Sequence, residues 1–445
     1  MSFLNLDNSL ITDRTGSIYN FQHTDKGIEV VIYDRTNGKA AKETVVDNKI
    51  LEYDVSINEE DIIYLVCQKE NLSISIYSFN GYDWTESELI EETRGNIYNL
   101  KILTNNNTLH IFYHEQSIED ERILNIYHHY YEDNKWNTTT IEGIYKNKIV
   151  NPFELLIDGE KIILVYYDLG DYTEEIFLKV FDINRGAWEE SIHITNDNSS
   201  KLYLDILELR GYLHITYSEY ENENLTIKHK KIKVHPDKIE EVSYNVLSNL
   251  ANCTYPTLIY ENETLWNVWT EYDNVMSSYS LDEGETWSNP YLWKESKEVN
   301  FVRYKFITNE EKLRKNYIMN YSFGRTYPNL TFLGFGELEK AVEEPKKKED
   351  FTSQEDHIDD YMEDYYFRED YPQKNYVEED VSEMSVSREL ESRIIELEKV
   401  LESIERRIRK LENNTDVAET KYLEEKIHEI EKYINRRRNP FGTRI

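Results

Sequence analysis

The residues whose types suit chemistry are few and scattered. Arginine is scarce along the apolar runs, so a bidentate grip on a carboxylate could only be assembled from Arg35, Arg303 and Arg325. His110 and His214 occupy matching places in two repeats, an equivalence that suits packing better than a pair of metal ligands. The cluster His128-His129-Tyr130-Tyr131 fits a strand edge. No phosphate loop, zinc motif or serine elbow is present, so no catalytic residue, metal or cofactor is assigned. One octet is specific: Ser280-Leu281-Asp282-Glu283-Gly284-Glu285-Thr286-Trp287. Its Asp282 carboxylate can accept backbone N–H bonds inside a tight turn, and Gly284 can take a positive φ at little steric cost. Ser280 and Thr286 can add hydroxyl bonds, and Trp287 can bury a large ring.

The elements that position these residues form a repeat. Trp84, Trp136 and Trp188 fall at successive intervals of 52 residues, each after a polar or Gly-containing turn that ends an apolar run. Upstream of them three short runs recur, such as Leu100 to Leu103, Leu109 to Tyr113 and Leu124 to Tyr127, then Leu155 to Ile157, Ile162 to Tyr167 and Ile176 to Val180. A degenerate unit follows, with Leu204 to Leu207, Leu213 to Tyr217, Leu225 to Ile227, and Ile239 near the place of the Trp. Rich in β-branched and aromatic residues and bounded by Asn, Asp and Gly, these runs read as strands. A period near 50 with four short strands per unit predicts a mainly β chain folded as a β-propeller of four-stranded blades. Counting a first unit at Ser17 to Val46 and a last at Phe301 to Gly336 gives seven blades; the alternative is six, with the terminal units sharing one blade sealed by an N-terminal strand.

The octet matches the Ser-x-Asp-x-Gly-x-Thr-Trp pattern in full, and residues 15 to 340 thereby resemble the Asp-box, or BNR-repeat, propellers that include sialidases and many non-enzymatic relatives. The resemblance implies a structural Asp-box on the blade perimeter (Ser280, Asp282, Gly284, Thr286 and Trp287), remote from any central site. Sialidases of that family also carry an Arg-Ile-Pro element, an arginine triad, a Tyr and Glu nucleophile pair and an Asp acid/base. None of the eight prolines here follows Ile, so the Arg-Ile-Pro element is missing, and a non-catalytic relative is expected.

With 86 acidic and 51 basic residues the chain carries a net charge of -35, and that field disfavours nucleic acid and anionic lipid as partners. No run approaches the length of a membrane span. Two cysteines and an N-terminus without a signal pattern point to a reducing cytoplasm, with a cell or spore surface layer as the alternative. After the propeller (1–340), an acidic segment (341–383) holds Tyr361, Tyr365, Tyr366, Phe367, Tyr371 and Tyr376 among like charges and reads as a disordered linker. Residues 384–438 read as coiled-coil helices broken near 413–416. Leu390, Ile394, Leu397, Leu401, Ile404, Ile408 and Leu411 form a seam at alternating spacings of four and three, and a second set starts at Leu423 out of register. Residues 439–445 form a basic end. The expectation is a homo-oligomer, dimer or trimer, that presents propeller heads to a glycan or protein ligand; a sialidase-type glycoside hydrolase working at the propeller centre is the alternative.

Overall fold

The computed structural model describes residues 8–346, apart from 106–107, 133–134, 147–149, 171–172, 223, 236–237, 273, 298–300 and 326–330. The chain divides into two compact units, Met1–Phe351 and Thr352–Ile445. The acidic segment beyond Lys346, the seam from Leu390 to Leu411 and the break at 413–416 lie outside the described residues.

Among the described residues the first unit contains six sheets. Sheet 2 runs Ile50–Ile57, Ile63–Lys69, Ile74–Phe79 and Trp84–Ile90; sheet 3 runs Tyr98–Asn105, Thr108–Gln116, Ile123–Glu132 and Lys135–Tyr145. Sheet 4 runs Glu154–Asp158, Lys161–Leu169 and Glu174–Asp182, with the short pieces Ala187–Trp188 and Ile192–His193 on the last of these. Sheet 5 runs Lys201–Leu209, Tyr212–Glu221, Asn224–Val234 and Ile239–Val246, and sheet 6 Cys253–Glu261, Thr264–Glu271, Asn274–Ser280 and Tyr291–Trp293. Sheet 1 contains Asn8–Thr12, Ile18–Thr24, Gly27–Asp34 and Lys39–Val46. Inner strands are largely buried, whereas outer strands such as Lys39–Val46 and Trp84–Ile90 are mostly exposed and carry charged residues, which blunts their free edges.

The sheets pack in cyclic order. Separate apolar cores join sheets 1 and 2, 2 and 3, 3 and 4, and 4 and 5. Sheets 5 and 6 share Ile227, Trp269 and Met276, and sheet 6 meets Phe323, Leu333 and Phe335 of the closing segment. That closed order is a β-propeller. Asn99 and Asn151, 52 residues apart, repeat one further link: each side-chain amide donates to a carbonyl of the next inner strand, at Phe153 (2.9 Å) and Lys201 (3.2 Å).

The segment Phe301 to Gly336, counted above as a seventh unit, builds no sheet of its own. Val302–Thr308 pairs in parallel with Asn8–Thr12, setting Lys305 opposite Ser9, and Tyr321–Arg325 and Thr331–Phe332 continue sheet 1. Tyr317–Met319 pairs instead with Cys253–Glu261 of sheet 6. The first and last units therefore share one sheet.

Within the octet, the Asp282 carboxylate accepts bonds from the Thr286 N–H (2.8 Å), the Thr286 hydroxyl (2.6 Å) and the Ser280 hydroxyl (2.7 Å). Partial burial works against ionisation, but these donors outweigh it and hold the carboxyl at about 2. Gly284 has φ +83°, and a Cβ there would lie 2.8 Å from the His229 ring. Its carbonyl accepts from Ser243 (2.9 Å) and Asn245 (3.3 Å) of sheet 5, so the turn of one sheet is bonded to the sheet before it. The ring of Trp287 meets His229 edge-on at 4.8 Å between centroids. Trp188 meets His128 of sheet 3 the same way (5.6 Å), and Trp84 meets Phe21 of sheet 1 (6.2 Å).

His110 and His214 do not converge. Each pairs within its own sheet, His110 with His128 (3.0 Å) and His214 with His229 (3.1 Å), and burial depresses all four imidazoles. Among the described residues no group of three or more His, Cys, Asp or Glu could hold a metal ion.

Trp287→Ala should destabilise the propeller by about 3 kcal/mol, the low end for a large aromatic because the ring is only partly buried. Asp282→Ala should also lower the melting temperature. Chemical denaturation decides the matter, and an unchanged midpoint for Trp287→Ala would remove the tryptophan from the seam between sheets 5 and 6.

Candidate ligand-binding site

One rung of the inner strands carries charge. Asp54, Lys101, Glu154, Asp205 and Thr257 stand opposite Val66, Phe112, Val165, Thr216 and Val268 in their sheets, the same register in five successive repeats. All five are at most 4 % exposed. The closing strand Val302–Thr308 completes the ring with Arg303 and Lys305.

Adjacent members bond to one another around the axis. Lys305 Nζ donates to both Asp54 oxygens at 2.7 Å and to the Val55 carbonyl, while Asp54 accepts the Ile102 N–H (2.8 Å). Lys101 pairs with Glu154 at 3.1 Å and with the Tyr321 hydroxyl, which donates to Glu154 at 2.9 Å. Asp205 accepts the Leu258 N–H (2.8 Å), a copy of the Asp54–Ile102 bond. Arg303 donates through Nε to Thr257 (2.8 Å), and its guanidinium carbon lies 3.5 Å from the Tyr321 ring centroid.

Burial and pairing compete at each group. For Lys101 burial disfavours the charge, but Glu154 more than compensates and the ammonium is raised; for Lys305 burial prevails and the ammonium is lowered. Burial pushes Asp205 up to about 7 against the pull of Arg303, and Glu52, close to Lys101 and Asp54, up to about 7. The Tyr321 phenol is raised by burial and then by Glu154.

Above this floor, at the C-terminal ends of the inner strands, lies a cavity of about 570 Å³, within the range of small-ligand sites. Its walls alternate aliphatic Leu103, Leu156 and Ile307 with polar Ser56, Thr104 and Thr308. Glu59, Glu208 and Arg314 also line it. The insertion between the two closing strands, with the short helix Glu311–Asn316, crosses one side. Asn309 donates to the Asn58 carbonyl (2.6 Å) and to Asp61 (2.8 Å), and Asn320 donates to the Ile206 carbonyl (2.7 Å).

The three arginines named from the sequence are not gathered here. Arg35 is bridged to Glu310 (2.8 Å) beside a second cavity, lined by Ile18, Ile259 and Phe335 among others. Arg303 is held below the mouth, and Arg325 stands opposite Thr331 at the end of its strand. Cys67 and Cys253 are buried thiols pushed up to about 12 by burial, which removes them as nucleophiles. Sequence reading missed the axial ring. Its signal is a single charged residue within or beside an apolar run, recurring at intervals of 47, 53 and 51 residues from Asp54 to Asp205.

No protein-family model and no curated protein matches the sequence. Among solved structures, the chain is similar to an ulvan lyase of polysaccharide lyase family PL25, at 10 % identity over 73 % of this chain and 92 % of that one, with a TM-score of 0.46. The Aleuria aurantia lectin AAL, in complex with Fucα1-6GlcNAc, is similar at 9 % identity over 65 % of this chain and 96 % of that one, with a TM-score of 0.38. AofleA from Arthrobotrys oligospora is similar at 12 % identity over 54 % of this chain and 74 % of that one, with a TM-score of 0.36.

The raised carboxyls give a pH signature. Asp205 and Glu52 bind protons in the folded chain up to about pH 7, whereas unfolded carboxyls release them near pH 4. The folded state binds more protons between those values, so their contribution to stability falls as pH rises from about 4 to 7 and stays low above. Asp205→Asn should keep the Leu258 N–H bonded and flatten the fall of melting temperature between pH 5 and 8 relative to the parent. Parallel slopes for parent and variant at constant ionic strength would rule out the assigned shift.

Proposed function

We propose that the chain is a non-catalytic binding protein: a six-bladed, Asp-box type propeller whose ligand, a glycan or a protein surface, enters the mouth at the C-terminal ends of the inner strands. The observation that supports this most is the floor of the cavity. Lys101 is bonded to Glu154 and Lys305 to Asp54, so the carboxylates of the floor are committed to partners within the protein. In this reading residues 384–438 form the coiled coil that joins several propellers, so that weak contacts gain avidity.

One observation favours a glycoside hydrolase of sialidase type: Tyr321 donates to Glu154 at 2.9 Å beneath the mouth, a juxtaposition that could serve as a nucleophile pair. Two features weigh against it. The phenol is raised, the reverse of what an activated nucleophile needs, and both side chains are almost wholly buried. Arg35, Arg303 and Arg325, moreover, offer no convergent clamp.

The full chain should bind members of a glycan array, or a protein partner, without releasing product from fluorogenic sialosides or other aryl glycosides. Truncation after Lys346 should leave a folded monomer in light scattering with weaker avidity for an immobilised ligand. Turnover that Tyr321→Phe abolishes would overturn the binding reading, and a truncated protein with the stoichiometry of the full chain would remove the tail from it.

A further inference from the structure

Resting on the reading of the mouth as a binding site, we propose that it takes a ligand end without an anionic group: the neutral, polyhydroxylated terminus of a saccharide. The argument starts from the cations. Lys101 is committed to Glu154 and Tyr321, Lys305 to Asp54 and the Val55 carbonyl, and Arg303 to Thr257 and the Tyr321 ring. A ligand carboxylate or sulfate reaching the floor would have to break one of these buried bonds. It would also approach Glu154 and Asp54 without a partner of its own, in surroundings where like charges are poorly screened.

The rim points the same way. Glu59 is exposed, and Glu208 is oriented by the Gly211 N–H, which donates to it at 2.6 Å. Against these two carboxylates Arg314 is the one cation at the rim, among the described residues, without a described side-chain partner. Uncharged capacity is better supplied. Asn105 offers an amide, and Ser56, Thr104 and Thr308 present hydroxyls that would exchange neutral bonds (Ser56 with Thr104, Thr104 with the Ile57 carbonyl, Thr308 with Thr12 and the Glu310 N–H) at far lower cost than an ion pair. The aliphatic faces of Leu103, Leu156, Ile307 and Met319 lie between them. Such an alternation suits the hydroxyl edge and C–H face of a neutral sugar ring.

The test uses the full chain and paired probes: neutral oligosaccharides ending in galactose, glucose, mannose or fucose, and the same oligosaccharides capped with sialic acid or a uronate. Titration calorimetry at low salt should give a neutral ligand whose acidic counterpart binds about tenfold or more weakly, with the gap shrinking as salt rises. In the double variant Glu59→Gln, Glu208→Gln the gap should narrow. Equal or tighter binding of an acidic member overturns the proposal and leaves the binding site standing, as does a gap that the double variant does not change. Failure of every saccharide in both sets overturns the glycan reading of the mouth, and the proposal with it.

Discussion

Sheets arranged around an axis bring their inner strands close enough that the side chains between them must fill one column. In this chain the column is filled largely with charge, and the demand that every buried charge find a partner shapes what surrounds it. An unpaired buried ammonium or carboxylate is so costly that each member has to be placed against its neighbour within hydrogen-bond reach. Asp54 and Asp205 satisfy this by accepting an amide from the next inner strand, which locks the offset between adjacent sheets. Lys305 satisfies it across the seam where the chain closes. The apolar cores between sheets supply most of the burial, and the axial bonds add direction to it.

This division also explains the two ends of the molecule's radius. At the perimeter, Trp84, Trp188 and Trp287 each reach back to the preceding sheet, and the octet at Ser280 ties its carbonyl to Ser243 and Asn245. At the centre, packing gives way to paired charge. A recognition surface built over such a floor inherits a fixed electrostatic character, since the charges beneath it cannot turn toward a ligand without abandoning one another.

Much of the architecture was legible in the sequence because it repeats. The 52-residue interval of the tryptophans and the triplets of apolar runs announce the strands, and the match at Ser280 to Trp287 announces a hairpin whose bonds are local enough to be read from residue types alone. The count of units was legible only as a choice between seven and six. Whether Val302–Thr308 starts a new sheet or pairs in parallel with Asn8–Thr12 is decided by contacts nearly 300 residues apart in the chain, and nothing in either segment's alternation distinguishes the two. The axial ring escaped for a related reason: Lys101 and Glu154 look like polar interruptions of buried runs until the register aligns them. The equivalence of His110 and His214 suggested packing, but the partner of His110, His128 on the adjacent strand, could not be read from it.

The parallel pairing of Asn8–Thr12 with Val302–Thr308 has a consequence for how the chain comes to be folded. Sheets 2 to 5 are meanders of neighbouring hairpins, so each can form soon after its own residues leave the ribosome. The first strand can pair early with Ile18–Thr24, but its other edge waits for Val302–Thr308, synthesised only after about 290 further residues, a delay of tens of seconds at ordinary elongation rates. Throughout that interval the inner edge of sheet 1 presents unpaired backbone, and Lys305 has yet to reach Asp54. The nascent chain is thus an open arc that becomes a ring in a single late, entropically expensive contact. A chaperone that shields the first strand would act on the one step that the repeat itself cannot hasten.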